Sequence, residues 1–157
     1  MRRLTVRKIV SSLNRMLRQR SALVSLEDRT IGALVKDMLD TMYAAGGLGL
    51  AAVQIGVLKQ VIVVDLSGGV PPSPQIFINP EVIEASGEQV VFREGCLSLP
   101  GVMVNVKRPA NVHVRYRSID GEVSEIMAHG LLAICLQHEI DHLDGVLITD
   151  HVSPEEF

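Results

Sequence analysis

Residues 130–143 read GLLAICLQHEIDHL, and this stretch limits the fold more than any other part of the chain. Leu131, Leu132, Ala133, Ile134, Cys135, Leu136, Ile140 and Leu143 surround its few polar side chains almost all the way round a helix. Such a helix belongs inside a layered core. Its polar residues, His138, Glu139 and His142, then need compensation for lost water, and a bound cation supplies it. At 3.6 residues per turn, His138 and His142 share one face about one turn apart, where two ring nitrogens converge on a single ion. Glu139 is rotated from them by about 100°, close enough to reach a water beside that ion without being a ligand. An HExxH string also arises by chance in helices whose histidines are ordinary core residues, so a third ligand from elsewhere in the chain decides the matter.

Cys135 lies on the same helix face but is seven positions from His142, roughly 10 Å along the axis. That is too far for both to bond one ion at about 2.0 to 2.3 Å. Cys135 is therefore read as pocket wall, and the other of the two cysteines is Cys96. Cys96 stands in EGCLSLP, between predicted strands, where Gly95 lets the backbone turn. A thiolate there can meet the two imidazoles and leave a fourth position open. A cysteine of this kind is otherwise a small buried apolar residue.

The length, 157 residues, fits one domain spanning 1–157, and 47% hydrophobic residues with a mean hydropathy of +0.28 describe a globular chain. A net charge of -3 gives no sign of a nucleic-acid partner, and no nucleic-acid-binding motif is present. No apolar run approaches the roughly 18 residues of a membrane span. Two cysteines fit a reducing compartment rather than a disulfide scaffold. Residues 1–20 carry Arg2, Arg3, Arg7, Lys8, Arg15, Arg18 and Arg20 and no acid, a composition that resembles an organelle transit segment. The preferred reading is a basic surface strand and loop anchored by Val6, Ile9, Val10, Leu13 and Leu17. The expected address is then the bacterial cytoplasm, or an organelle if the Arg-rich start is a targeting remnant.

Along the chain, Ser25 and Asp28 predict a capping box ahead of an amphipathic helix carrying Ile31, Leu34, Val35, Met38, Leu39 and Met42, with the methionines as core filler. GLGLAAVQ follows at 47–54 and is not a dinucleotide fingerprint, because it lacks the third glycine and no strand precedes it. Its small residues predict close approach of another group to the backbone. Gln54 is either a turn residue or an amide donor to a site; spacing does not choose. Strands are predicted at 60–66 and at 76–79, the latter broken by Pro80, and 81–85 with 88–93 reads as a hairpin across Ser86 and Gly87. Further strands are expected at 102–106, 111–117 and 122–127, and a last short one at 146–149. The fold class is α+β: antiparallel strands packed around a central metal-binding helix, with one amphipathic helix before them.

GLGLAAVQ, EGCLS and QHEIDH, in that order and with DHLDG continuing the last, together resemble the three signature motifs of the peptide deformylase family. The resemblance spans most of the chain. It implies that Cys96, His138 and His142 hold a divalent metal, Fe(2+) with Zn(2+) as substitute, and that Glu139 is the general base on water. It also implies that Gln54 and the backbone N–H of Leu97 form the oxyanion hole. The implied substrate is the N-formylmethionyl end of a nascent peptide, near the ribosome, with formate released. Leu48, Gly49, Glu94, Gly95, Leu131, Ile134 and Cys135 are then the expected substrate-binding residues, the leucines, Ile134 and Cys135 forming an apolar slot for the methionine side chain. Asp141 faces away from the metal and is expected to pair with Arg108 or with backbone. His129, where the family commonly has an acid, reads as a helix cap. Val53 departs from the family pattern beside Gln54, and the segment from Ser11 to Arg20 fits its usual opening poorly. No long basic C-terminal helix follows, so ribosome docking through one is not implied. Two other functions fit parts of the pattern: another metal-dependent amidase or peptidase, and a silent deformylase-like protein that binds nascent chains.

Overall fold

A computed structural model describes residues 3–156; Arg2, counted above in the basic opening, and the two terminal positions 1 and 157 lie outside them. Two α-helices, α1 (Ile31–Ala44) and α2 (Gly130–Leu143), enclose a five-stranded antiparallel sheet, and a separate two-stranded sheet stands beside it. The large sheet has the order β1 (Gly49–Ala51), β2 (Val61–Val64), β3 (Gln75–Ala85), β6 (Asn111–Arg117), β7 (Val123–His129). The small sheet pairs β4 (Gln89–Cys96) with β5 (Leu99–Pro109). This is an α+β arrangement.

The run VIVV explains the layering. All four residues of β2 are buried, so neither face of this strand meets water. Because side chains alternate along a strand, Val61 and Val63 pack with Ile31, Leu34, Val35, Met38 and Met42 of α1, while Ile62 and Val64 join Ala133, Leu136 and Leu143 of α2. Met38 and Met42 are fully buried core filler, as their spacing predicts. Each such side chain is worth about 1.5–3 kcal/mol of burial.

Several elements differ from the sequence-based expectation. Pro80 does not end a strand: β3 runs through it, with a register shift between Ile78 and Glu81 and a left-handed Asn79 (φ 50°). Proline is tolerated at such a bulge, where no ladder N–H is needed. Residues 81–85 and 88–93 form no hairpin. The turn at Ser86 and Gly87 instead passes the chain from one sheet to the other, and β4 pairs with β5 over its whole length. The expected strand at 146–149 is a 3-10 turn, Ile148–His151. Ser25 and Asp28 make a local turn rather than a capping box; α1 starts at Ile31 after Thr30, whose N–H and hydroxyl both donate to Asp28.

The basic opening is not a strand: it is irregular up to a short 3-10 helix, Arg15–Arg18, and only part of the predicted anchor holds it. Leu17 is fully buried, whereas Val6 and Leu13 are exposed. Charge does the rest: Arg7 pairs with Asp37, Arg18 with Asp150, and the Thr5 and Arg7 amides donate to Asp40 and Thr41 of α1. Gly145 is required by this docking. It has φ 75°, and a Cβ there would lie 2.4 Å from the Arg18 carbonyl oxygen. No helix among the described residues is long and apolar enough to cross a membrane.

Candidate metal centre

Three elements converge on one point. α2 presents His138, Glu139 and His142, the end of β4 presents Cys96, and a 3-10 turn after β1 (Ala52–Ile55) presents Gln54. The ligand atoms of Cys96, His138 and His142 all lie within 4.8 Å of one another, with Cys96 Sγ 3.3 Å from His142 Nε2. Cys135 is not part of that cluster. Burial pushes its thiol up to about 12, aided by the field of Glu139, so it stays a neutral wall residue.

Glu94 settles the orientation of one imidazole. Its Oε1 is 3.0 Å from His138 Nδ1, which leaves Nε2 facing the cluster, 3.6 Å from Glu139 Oε1. Arg108 in turn donates two bonds to Glu94, at 2.6 and 2.9 Å, and a third to Asp141 at 2.9 Å. His151 reaches Asp141 from the surface at 2.8 Å. Arg108 and Glu94 are both buried, so neither carboxylate oxygen of Glu94 is spare. Asp141 therefore makes the arginine pairing expected of it.

The electrostatics suit a cation. Burial works against charge on His138, but hydrogen bonds to Cys96 and Glu94 and the nearby Glu139 outweigh it and lift the ring to about 10. The environment thus favours positive charge where the three donors meet. His142, held down to about 3 by burial and then by His138, stays a neutral donor. One soft thiol and two imidazoles form a donor set that borderline divalent metals accept. Burial raises the Glu139 carboxyl to about 7, and its Oε2 is a buried atom with no hydrogen-bond partner. An unsatisfied buried acceptor at this spot matches a site that receives water or substrate.

Gln54 is buried, and its side-chain oxygen accepts the Ala51 amide at 2.9 Å. Its NH2 group consequently points the other way, 3.1 Å from Ser98 Oγ and 3.6 Å from Cys96 Sγ. Of the two sequence readings, the amide donor is the one this geometry matches. Leu97 occupies the turn between β4 and β5.

Gln54, Cys96, Leu97, His138 and Glu139 line a cavity of about 560 Å³, while His142 is buried and is not among its lining residues. Its lining includes every residue expected at the substrate: Leu48, Gly49, Glu94, Gly95, Leu131, Ile134 and Cys135. Gly49 packs closely on the glutamate: a Cβ there would stand 3.2 Å from Glu139 Oε1, so the side chain would have to give by a few tenths of an ångström. α2 is less enclosed than its composition predicts, because Leu131 is 39% exposed at the cavity edge. His129 holds the cap position of α2 without capping it; its ring bonds Asn111 at 2.8 Å. Sequence reasoning missed Ser98, the hold of Glu94 on His138, and the rim residues Phe92, Arg93 and Met103. EGCLS offered a signal for Ser98 and Glu94, whereas Met103 is placed only by the hairpin register.

Comparison with known proteins gives a consistent result. The polypeptide deformylase family model matches residues 6–157. A peptide deformylase of Agrobacterium fabrum is 45% identical over 151 residues, covering 96% of this chain and 89% of the relative. The crystal structure of a peptide deformylase from Legionella pneumophila superposes with a TM-score of 0.91 at 42% identity, covering 96% of this chain and 88% of that one. A Met-Ala-Ser-bound class I type b peptide deformylase from Acinetobacter baumannii gives 0.87 at 30% identity, covering 96% and 100%.

Proposed function

The chain belongs to the polypeptide deformylase family, and from that footing we infer which of its residues perform the family's reaction. The protein is a hydrolase that removes the formyl group from the N terminus of newly made polypeptides, and its family is metal-dependent. Cys96, His138 and His142 hold the metal, and the observation that carries this assignment is the convergence of their ligand atoms within 4.8 Å of one another.

When bound, the divalent cation supplies Lewis acidity, polarising the formyl carbonyl and bringing water toward deprotonation at neutral pH. Glu139 accepts the proton of the attacking water and later returns it to the departing amine. The Gln54 NH2 group and the Leu97 N–H donate to the formyl oxygen as negative charge develops on it. A C–O bond forms, the C–N bond breaks, and formate leaves with a free methionine amine. The apolar wall of Leu48, Leu131, Ile134 and Cys135 receives the methionine side chain, and Gly49, Glu94 and Gly95 shape the backbone path past it. The Met-Ala-Ser ligand of the Acinetobacter baumannii relative supports a peptide in this cavity.

Fe(2+) is the metal of this reading, with Zn(2+) as a less active substitute. In this reading the substrate is met near the ribosome, in the bacterial cytoplasm or in an organelle. The test is formate release by anaerobically purified protein from formyl-Met, acetyl-Met and unblocked peptides. Turnover of the formyl peptide alone is expected, faster with Fe(2+) than with Zn(2+) and lost in air. Equal cleavage of the acetyl peptide indicates a general amidase, and no formate with any metal refutes the reading.

A further inference from the structure

The mouth of the cavity carries charge that nothing neutralises. Glu94 turns inward to Arg108, so the alternation of β4 sends Arg93 to the opposite, outer face of the hairpin, across from Asn105. Lys107, two positions further along β5, stands diagonal to Arg93 on that same outer face. Both side chains are exposed. Among the described residues Arg93 and Lys107 meet no carboxylate, a state they share with Arg3, Lys8, Arg15, Arg29 and Arg117; what sets Arg93 apart is its place at the cavity.

Although its side chain leaves β4 on the face opposite Phe92 and Glu94, Arg93 stands at the cavity's edge, among the lining residues with Phe92, Gly95 and Met103. Of the other charged lining residues, Glu94 and His138 are buried and bonded to one another, Glu94 also to Arg108, and Glu139 is buried beside His138, so Arg93 is the exposed charge at the rim. Met103 crosses the same face; its Sδ lies 2.7 Å from where a Cβ on Gly95 would be, closing the space beside Arg93 with an apolar side chain. A peptide whose first side chain fills the apolar end of the cavity leaves across this rim.

Resting on the deformylase reading, we propose that Arg93, with Lys107 beside it, is a specificity-determining residue favouring substrates with Asp or Glu in the two positions after the formylmethionine. Two cations are too few for the phosphate track of a nucleic acid, whose affinity grows with each phosphate neutralised. They are enough to discriminate one side-chain charge at close range. Exposed ion pairs of this kind correspond to about two- to fivefold in an equilibrium or specificity ratio.

The experiment uses metal-loaded protein and amidated peptides of the form formyl-Met-X-Ala and formyl-Met-Ala-X, with X as Glu, Gln or Lys. Amidation removes the terminal carboxylate, which would otherwise mask the effect. The quantity read is the ratio of kcat/KM for Glu over Lys peptides within each protein. At low salt this ratio should be about two- to fivefold at one or both positions, carried by KM, and should shrink toward one as salt is raised. It should fall to one or below in Arg93→Glu, and Lys107→Gln should lower it partway. A wild-type ratio of one, or a ratio that Arg93→Glu leaves in place, overturns the proposal. Absence of formate from every peptide overturns the deformylase reading instead, and the inference with it.

Discussion

The two walls of the cavity are built on opposite plans. On the α2 side, His138, Glu139 and His142 are 9%, 4% and 1% exposed. His138 is locked from behind by Glu94, Arg108 and Asp141. On the hairpin side, Phe92 and Met103 are 43% and 44% exposed, and Arg93 has no ion-pair partner among the described residues. Groups already bonded to the protein keep a fixed geometry at little reorganisation cost, which is what bond-making chemistry requires. Groups left free are available to a ligand. The difference teaches that one wall should fail abruptly on substitution while the other should only change preference.

The largest effect expected is on metal content. Cys96→Ser should lose nearly all of one metal per chain, whereas Cys135→Ser, on the same cavity but outside the cluster, should keep it. Elemental analysis of both variants checks this, and the reverse pattern would break the division of roles. Next comes stability. Arg108→Leu strands Glu94 in the interior, and removing one partner of a buried pair costs about 3–5 kcal/mol. That should lower Tm by roughly 10 °C in a chain of this size. Arg93→Gln, on the exposed wall, should change stability by less than about 0.5 kcal/mol. Similar Tm values for the two variants would erase the contrast.

A smaller effect belongs to the lip between the walls. Gly49→Ala places a methyl group against Glu139 and should reduce kcat roughly tenfold while metal content stays intact, since small misplacements of a reacting group are costly. Unchanged kcat would show that Glu139 relaxes freely. The smallest effect concerns Asp65, which accepts the Tyr43 hydroxyl and the Ser67 and Ser73 amides, while its own N–H holds the Leu48 carbonyl at the cavity edge. Hydrogen bonds from Ser67 and Tyr43 hold its carboxyl well below the usual carboxylate range. A depressed folded-state pKa contributes stability that is full above the unfolded value, about 4, and is lost as pH falls through the folded value. Asp65→Asn should therefore lower Tm by a few degrees between about pH 5 and 8, with the gap closing in acid. A gap that widens in acid would contradict the assigned ionisation.

The same contrast explains what the sequence made legible. The convergence of Cys96, His138 and His142 could be read because helical spacing fixes His138 against His142, and because the third ligand had to come from another element. The core of β2 could be read because four consecutive aliphatic residues leave few alternatives. Strand partnership could not. The Ser86-Gly87 turn looks locally like a hairpin, and only tertiary pairing of β3 with β6 and of β4 with β5 shows that it joins two sheets. That misreading hid the hairpin wall, because Arg93 and Met103 reach one rim only through the β4 and β5 register. The exposed apolar side chains of Val6 and Leu13 show the same limit: an apolar residue near a basic run does not say whether it will find a core.

The central claim is that the enclosed wall separates metal holding from proton transfer, with Glu139 assigned the proton. Glu139→Gln keeps the size of the side chain and removes the base. Metal analysis and formyl-Met-peptide turnover on the same purified sample test the claim most directly. The account predicts stoichiometric metal, unchanged peptide binding and turnover reduced at least about 10²-fold, up to about 10⁴-fold. Loss of metal from the Gln variant, or full turnover with metal retained, would contradict it.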